Sequence, residues 1–232
     1  MEKNNIVISG YYGFSNAGDE AMLFAVLRAL HYDPKRMRIT VISGDPRRTE
    51  NTFRVHAVSR FDGYSILKRV YQSDLLISGG GSLLQDVTSW KSMMYYLSII
   101  GMGIFFRKKV FLYSQGIGPV RYHWGRWILR TVMNHVDAIT VRDSESKFFL
   151  EQLGVKNRIY YTADAVLSLS PVPHDIGREI LRKNHIPTNK KLIGISIRRW
   201  MNTEIWTEQL KNYIIKINGK EEYNFVFIPM QF

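Results

Sequence analysis

Residues 10–21, GYYGFSNAGDEA, place three glycines and two adjacent carboxylates directly after an apolar run. Gly10, Gly13 and Gly18 allow tight turns and close approach of backbone to a ligand. A helix starting here offers unpaired N–H groups and a positive dipole end, which suit an anion. Gly13, Asn16 and Gly18 are therefore expected to contact substrate. Asp19 fits two roles. It can cap the helix, with Glu20 steadying the first turn, or serve as an acid/base group inside a glycine-rich loop. The spacing is neither GxGxxG nor a Walker loop, because Asp19 follows Gly18 and no Lys-Ser/Thr pair is present. That argues against an ordinary nucleoside triphosphatase.

Three further junctions have the same character. LLISGGGSLLQD (75–86) sets consecutive glycines beyond an apolar run, so the amides of Gly80 and Gly81 are expected to be unobstructed. Ser82 can donate to a ligand oxygen or cap a following helix. In VFLYSQGIGPV (110–120), Gln115 can bind a sugar or carboxylate through its amide, or satisfy the loop's own backbone. In DAITVRDSES (137–146), Arg142 can clamp a phosphate or carboxylate bidentately, or pair with Asp143 or a neighbouring acid. Arg198, at the end of a later apolar run, is expected to close over the same cleft. Other chemistries find no support. The chain has no Cys, its six His show no HExxH or other metal-ligand spacing, and no GxSxG elbow occurs.

The elements that must carry these loops alternate. Strand-like runs at 6–9, 39–43, 55–58, 75–78, 110–114 and 138–141 are separated by helix-length segments at 20–30, 63–71, 92–105, 124–135 and 144–153. Several runs are continuously apolar, as when helices cover both faces of a sheet. The pattern predicts a parallel, doubly wound Rossmann-like α/β domain. Its strand ends would gather the four junctions on one rim. Texture changes after YYTADAVLSLSPVPHD (160–175), where Pro171 and Pro173 interrupt regular structure. The reading divides the chain into an N-terminal domain over 1–165, a connection with a helix over 166–188, and the beginning of a second Rossmann-like domain over 189–232. That last part is thin for a complete core, so an incomplete second domain is expected.

A hydrophobic content of 45% and a mean hydropathy of -0.17 exclude a wholly disordered chain and a polytopic membrane protein. The formal charge of +12 favours anionic partners such as phosphorylated small molecules or acidic lipid. No DNA- or RNA-reading motif accompanies it, so no nucleic acid is expected. The start, MEKNNIVISG, has no long apolar signal region, which gives a cytoplasmic expectation. Residues 92–106 are uncharged, but fall short of the roughly 18–20 needed to span a bilayer. A buried helix is the plain reading. An interfacial helix ending on Arg107, Lys108 and Lys109, touching the inner face of the plasma membrane, is the alternative.

Taken together, ISGYYGFSNAGDEA, LISGGGSLLQD, YSQGIGP, ITVRDSES and TADAVL resemble the polysaccharide pyruvyl transferase family, through the ISIRRW segment at 195–200. The resemblance implies a two-domain fold like that of GT-B glycosyltransferases, with the active site between two Rossmann-like halves. It implies transfer of pyruvate from phosphoenolpyruvate to a sugar as a 4,6-ketal, with phosphoenolpyruvate as donor substrate and no separate cofactor. In the bacterial cell-wall branch the acceptor is a lipid-linked saccharide containing N-acetylmannosamine, and the product helps to anchor surface-layer proteins. Asp19 would act as acid or base, Arg142 would hold the donor's anionic groups, and Gly80, Gly81 and Ser82 would frame acceptor or phosphate. Two departures stand out. Asp164-Ala165 replaces the family's usual Asp-Pro, and its later Asp, His and basic donor-binding residues would lie beyond Phe232, leaving this chain expected to be inactive alone. Rival readings are a glycosyltransferase using a nucleotide sugar and a non-catalytic, basic membrane-binding module.

Overall fold

The computed structural model describes residues 4–197, 203–218 and 222–229. Arg198 lies outside them. The chain divides into two units, residues 1–169 and 170–232. In the first, the order is β1 (Asn4–Tyr12), α1 (Ala17–Ala29), β2 (Met37–Ser43), α2 (Pro46–Phe53), β3 (His56–Ser59), α3 (Gly63–Tyr71) and β4 (Leu75–Gly79). It continues with α4 (Trp90–Phe105), β5 (Lys109–Gln115), α5 (His123–Met133), β6 (Ala138–Val141), α6 (Ser144–Gln152), β7 (Ile159–Tyr161) and a 3-10 turn at Ala165–Ser168.

All seven strands run parallel in the order β3-β2-β1-β4-β5-β6-β7. The chain winds outward from β1 to β3, crosses back to β4 and winds outward the other way. Strand order therefore reverses between β1 and β4, which opens a crevice beyond their C-terminal ends. This is the doubly wound Rossmann-like architecture expected from the alternation of apolar runs and helices.

Period-two alternation sorts the strand side chains into two cores. Ile6, Ile8, Ile39, Val41 and Ile77 pack with Leu23, Val26 and Leu27 of α1. Val7, Leu76, Val110 and Leu112 point to the other side, where Ile66 and Val70 of α3, Leu97 and Ile100 of α4, Leu129 of α5 and Leu150 of α6 cover them. Each fully buried Leu or Ile contributes about 1.5–3 kcal/mol, so the register of β1 with both neighbours is firmly held. Helix α4 buries Met93, Tyr96, Leu97, Ile99, Ile100 and Gly103. No helix among the described residues is long and apolar enough to cross a membrane.

Helix α2, unforeseen in the sequence, is polar and buries only Thr49. Its signal is the cap: Asp45 accepts the Arg48 N–H at 3.0 Å, and Pro46 occupies the first helical position. The second unit holds α7 (His174–Lys183), β8 (Lys191–Ile195), α8 (Thr203–Asn218) and β9 (Tyr223–Phe227), with β8 and β9 paired in parallel.

Candidate active site

The β1–α1 loop opens on the crevice between β1 and β4. Asn16 is the N-cap of α1, its Oδ1 accepting the Gly18 N–H at 3.1 Å. Asp19 is thus not the cap: it lies in the first turn, three residues past Asn16, which takes the capping role. Glu20 reaches back, Oε1 accepting the Gly13 N–H at 2.8 Å. Two carboxylates in the first turn oppose the positive dipole end, so this helix terminus is a poor seat for another anion. Asp19 instead faces the neighbouring loop: a Cβ on Gly81 would stand 3.4 Å from its Oδ1.

Beyond their strands, the β4 and β5 loops continue as a paired ladder. The Gly116 N–H donates to Gly81 O at 2.9 Å, Leu84 bridges Ile117, and the Gly118 N–H donates to Leu84 O at 2.9 Å. The Gly80 amide is not open to a ligand as expected, because it donates to Tyr113 O at 3.0 Å. Gly80 has φ +58°, and a Cβ there would collide with Met22 Sδ. Ser82 caps no helix either, since α4 begins at Trp90 under a Ser89 cap. Its Oγ accepts from Arg142 Nη2 at 2.8 Å. Gly116 makes room for that contact: a Cβ would sit 2.8 Å from Ser82 Oγ and 2.9 Å from Arg142 Nε.

Gln115 belongs to the interior. Its side chain is fully buried, and Nε2 donates to Ser78 O at 3.1 Å, so that donor is spent on the backbone of β4 rather than on substrate. Its Oε1 is buried without a hydrogen-bond partner among the described residues. Arg142, one residue beyond β6, donates through Nη1 to Asp164 Oδ2 at 2.9 Å, while Asp143 Oδ2 stands 3.7 Å from its Nε. The closer acid is therefore Asp164, not the sequence neighbour. With two carboxylates and Ser82 around it, Arg142 is largely compensated and fixes the β4 and β6 loops to each other. A cavity of about 420 Å³ lies alongside, bounded by Ser82, Gly116, Gly118, Asp143, Glu145 and Phe149. Its acidic wall suits sugar hydroxyls better than a phosphate.

The structure adds residues that the sequence reading passed over. Arg60 follows the end of β3 just as Arg142 follows β6, and that parallel was the available signal. Its guanidinium lies 4.5 Å from the Tyr95 ring centroid, 5.2 Å from Phe14 and 5.8 Å from both Phe61 and Tyr96. No carboxylate among the described residues pairs with it. Arg60 is thus a cation held on aromatic faces, with no acid among the described residues to balance it. Tyr96 Oη is buried with no partner of normal hydrogen-bond geometry among the described residues. Burial raises its pKa to about 12 against the pull of Arg60, with Tyr95 and Asp19 adding to the rise. Tyr12 donates to Gly79 O at 3.0 Å, and burial, then the charge of Asp19, push its phenol far up. Asp19, Tyr12, Tyr96 and Arg60 thus meet at the point where strand order reverses. No group of His, Asp or Glu able to hold a metal ion occurs among the described residues.

Residues 16–232 match the family described as polysaccharide pyruvyl transferase. The chain is a member of that family. No curated protein matches it significantly. Among solved structures, the chain is similar to S. aureus MnaA bound to UDP, with a TM-score of 0.61, 13% identity, 99% of this chain covered and 62% of that one. It is similar to Anabaena Alr3699/HepE in complex with UDP, with a TM-score of 0.58, 9% identity and coverages of 96% and 69%. UDP-GlcNAc 2-epimerase from Neisseria meningitidis gives 0.55, 12%, 97% and 66%. At these identities the likeness is one of fold, the GT-B-type arrangement of glycosyltransferases and epimerases. The chain spans 62–69% of the length of these neighbours.

Proposed function

We propose that this unit supplies the acid/base side of a site that transfers pyruvate from phosphoenolpyruvate to two hydroxyls of a cell-wall sugar, one carried by a lipid-linked saccharide containing N-acetylmannosamine. The observation that carries the reading is the meeting of Asp19 with the Gly80–Gly81 loop at the β1/β4 crevice, in a chain of this family.

The chemistry sets the requirements. A proton is delivered to the donor's methylene carbon, which becomes methyl, and the adjacent carbon becomes electrophilic. One sugar hydroxyl adds there and gives up its proton. The second hydroxyl then displaces phosphate from the same carbon, so the ketal forms and phosphate departs with the second proton. Asp19 acts as proton donor or acceptor. Fixed positive charge must hold the donor's carboxylate and phosphate throughout. Arg60 answers that need better than Arg142, because Asp164 and Asp143 already compensate the latter. The cavity beside Ser82 takes the acceptor's hydroxyls.

The test is phosphate release from phosphoenolpyruvate in the presence of the saccharide acceptor, set against nucleoside diphosphate release from sugar nucleotides. Phosphate release that drops at least a hundredfold in Asp19→Asn supports the reading. Nucleoside diphosphate release without phosphate release would assign the chain to sugar-nucleotide chemistry, which MnaA and HepE, crystallised with UDP, make the natural competitor.

A further inference from the structure

Between Val87 and Val136 the chain contains not one Asp or Glu, although it has 20 of them in all. The same stretch carries Lys91, Arg107, Lys108, Lys109, Arg121, Arg126 and Arg130. Helix α3 adds Lys68 and Arg69, again without an acid inside it. These segments are adjacent in space, because α4 packs between α3 and α5 on one side of the sheet. The next helix, α6, carries Glu145 and Glu151 and ends the acid-free face.

The face is also aromatic. Tyr64 is 74% exposed, Phe105 80% and Trp127 68%, with Tyr71, Trp90 and Trp124 exposed beside them. Trp90 and Trp124 pack edge to face at 5.8 Å, and Tyr122 stacks on Trp124 at 5.5 Å. Lys109 is paired with Asp137 at 2.7 Å and Asp62 caps α3, but the helices themselves carry no Asp or Glu, and their indole and phenol rings mixed with Lys and Arg match the chemistry of a bilayer's headgroup layer. An apolar groove for a peptide would instead concentrate aliphatic side chains and exclude charge.

We infer that the face formed by α3, α4 and α5 docks on an anionic lipid surface. Position gives the docking a use. Helices of a parallel α/β layer begin at the strands' C-terminal edge, so Tyr64, Trp90, Tyr122 and Trp124 stand at the same edge as the Asp19 crevice. Asp86 Oδ2 ties them to it by accepting the Arg121 N–H at 2.7 Å and the Tyr122 N–H at 3.1 Å, at the end of the loop that begins at Ser82. The lipid surface holds that edge beside the saccharide of a lipid-linked acceptor; this use, though not the docking itself, rests on the pyruvyl transfer reading.

Flotation with vesicles of phosphatidylcholine, alone or with about one-third phosphatidylglycerol, tests the inference without requiring turnover. The protein is expected to float at least about tenfold more with the anionic vesicles, and to be released as salt shortens the screening length. Lys91→Glu with Lys108→Glu, and separately Phe105→Ser with Trp127→Ser, are expected to cut the floated fraction at least about tenfold. Lys91, Phe105 and Trp127 are exposed, and Lys108 is half-buried with its ammonium 5.5 Å from the Tyr71 ring centroid, so the melting temperature should fall little, which separates lost docking from lost fold. Equal recovery with neutral vesicles, no recovery with either, or recovery indifferent to both variants overturns the inference. Phosphate release with a soluble saccharide should be the same in wild type and variants. If the vesicles bind but that assay is silent even in wild type, the docking stands and the pyruvyl transfer reading falls.

Discussion

Arg142 and Asp164, 22 residues apart in sequence, meet through Nη1 and Oδ2 at 2.9 Å. Asp164 has a second task, its Oδ1 accepting the Val166 N–H at 3.1 Å to cap the 3-10 turn. One carboxylate therefore joins the end of β6 to the last turn of the first unit. Both side chains keep about 30% exposure, so solvent screens the pair and its worth is about 1 kcal/mol. The cap is worth about another 1 kcal/mol. Asp164→Ala should lose both in urea unfolding. Asp164→Asn should lose only about half as much, since its amide oxygen still caps. No loss in Asp164→Asn would mean that the charge of Asp164 is irrelevant, and equal losses in the two variants would mean that the amide caps nothing.

This pair also marks what the sequence could and could not disclose. Arg142 was legible because it directly follows an apolar run, and strands β1 to β6 were legible for the same hydrophobic reason. Its partner was not, because a contact across 22 residues depends on how β6 and β7 pair. The short strand β7 buries only Ile159, too little apolar pattern to announce itself. The sequence leaves Asp19 open between a cap and an acid/base group because Asn16, Gly18 and Asp19 are all turn-forming types, and only coordinates fix which residue leaves the helical conformation. Gln115 looked available because it adjoins a glycine loop, yet the β4–β5 pairing turns it inward. The β1/β4 reversal follows from strand order, which no local pattern encodes. Tyr96 looked like one more apolar residue on α4.

Gly80 sits at φ +58° with Met22 Sδ in the space that a side chain would take. Gly80→Ala should cost about 2–4 kcal/mol, from left-handed backbone strain and overpacking together. Met22→Ala in the same chain should recover the overpacking part and none of the strain. A double-mutant cycle in urea reads the coupling, and strict additivity would place the whole cost in the backbone.

The Tyr96 hydroxyl, buried with no partner of normal hydrogen-bond geometry among the described residues, separates a structural role from a binding one. Tyr96→Phe removes a buried hydroxyl that only Arg60 favours among its named neighbours, so stability should change by less than about 1 kcal/mol. If a substrate atom normally completes that hydroxyl, phosphate release should fall at least about tenfold. Arg60→Lys keeps the charge but loses the planar guanidinium on its rings, and it should raise the KM for phosphoenolpyruvate more than it lowers kcat. A KM unmoved by Arg60→Lys and a rate unmoved by Tyr96→Phe would return both residues to packing.

Tyr12 and Tyr96 make alkaline stability a readout of the same cluster. Burial raises both phenols in the folded chain, Tyr96 to about 12 and Tyr12 further, while an unfolded tyrosine titrates near 10. Below about pH 10 both states keep the proton and the full stability is present. Above it the unfolded chain releases protons that the folded chain retains, so stability falls by about 1.4 kcal/mol per pH unit for each tyrosine. The loss from Tyr96 stops growing as pH passes its folded value near 12. Urea unfolding between pH 9 and 12 should therefore show a shallower decline in Tyr96→Phe than in wild type. The difference cancels the lysines and exposed tyrosines that titrate in both proteins. Parallel declines would show that the Tyr96 hydroxyl ionises as readily in the fold as outside it, and that the interior around Asp19 is wetter than its packing implies.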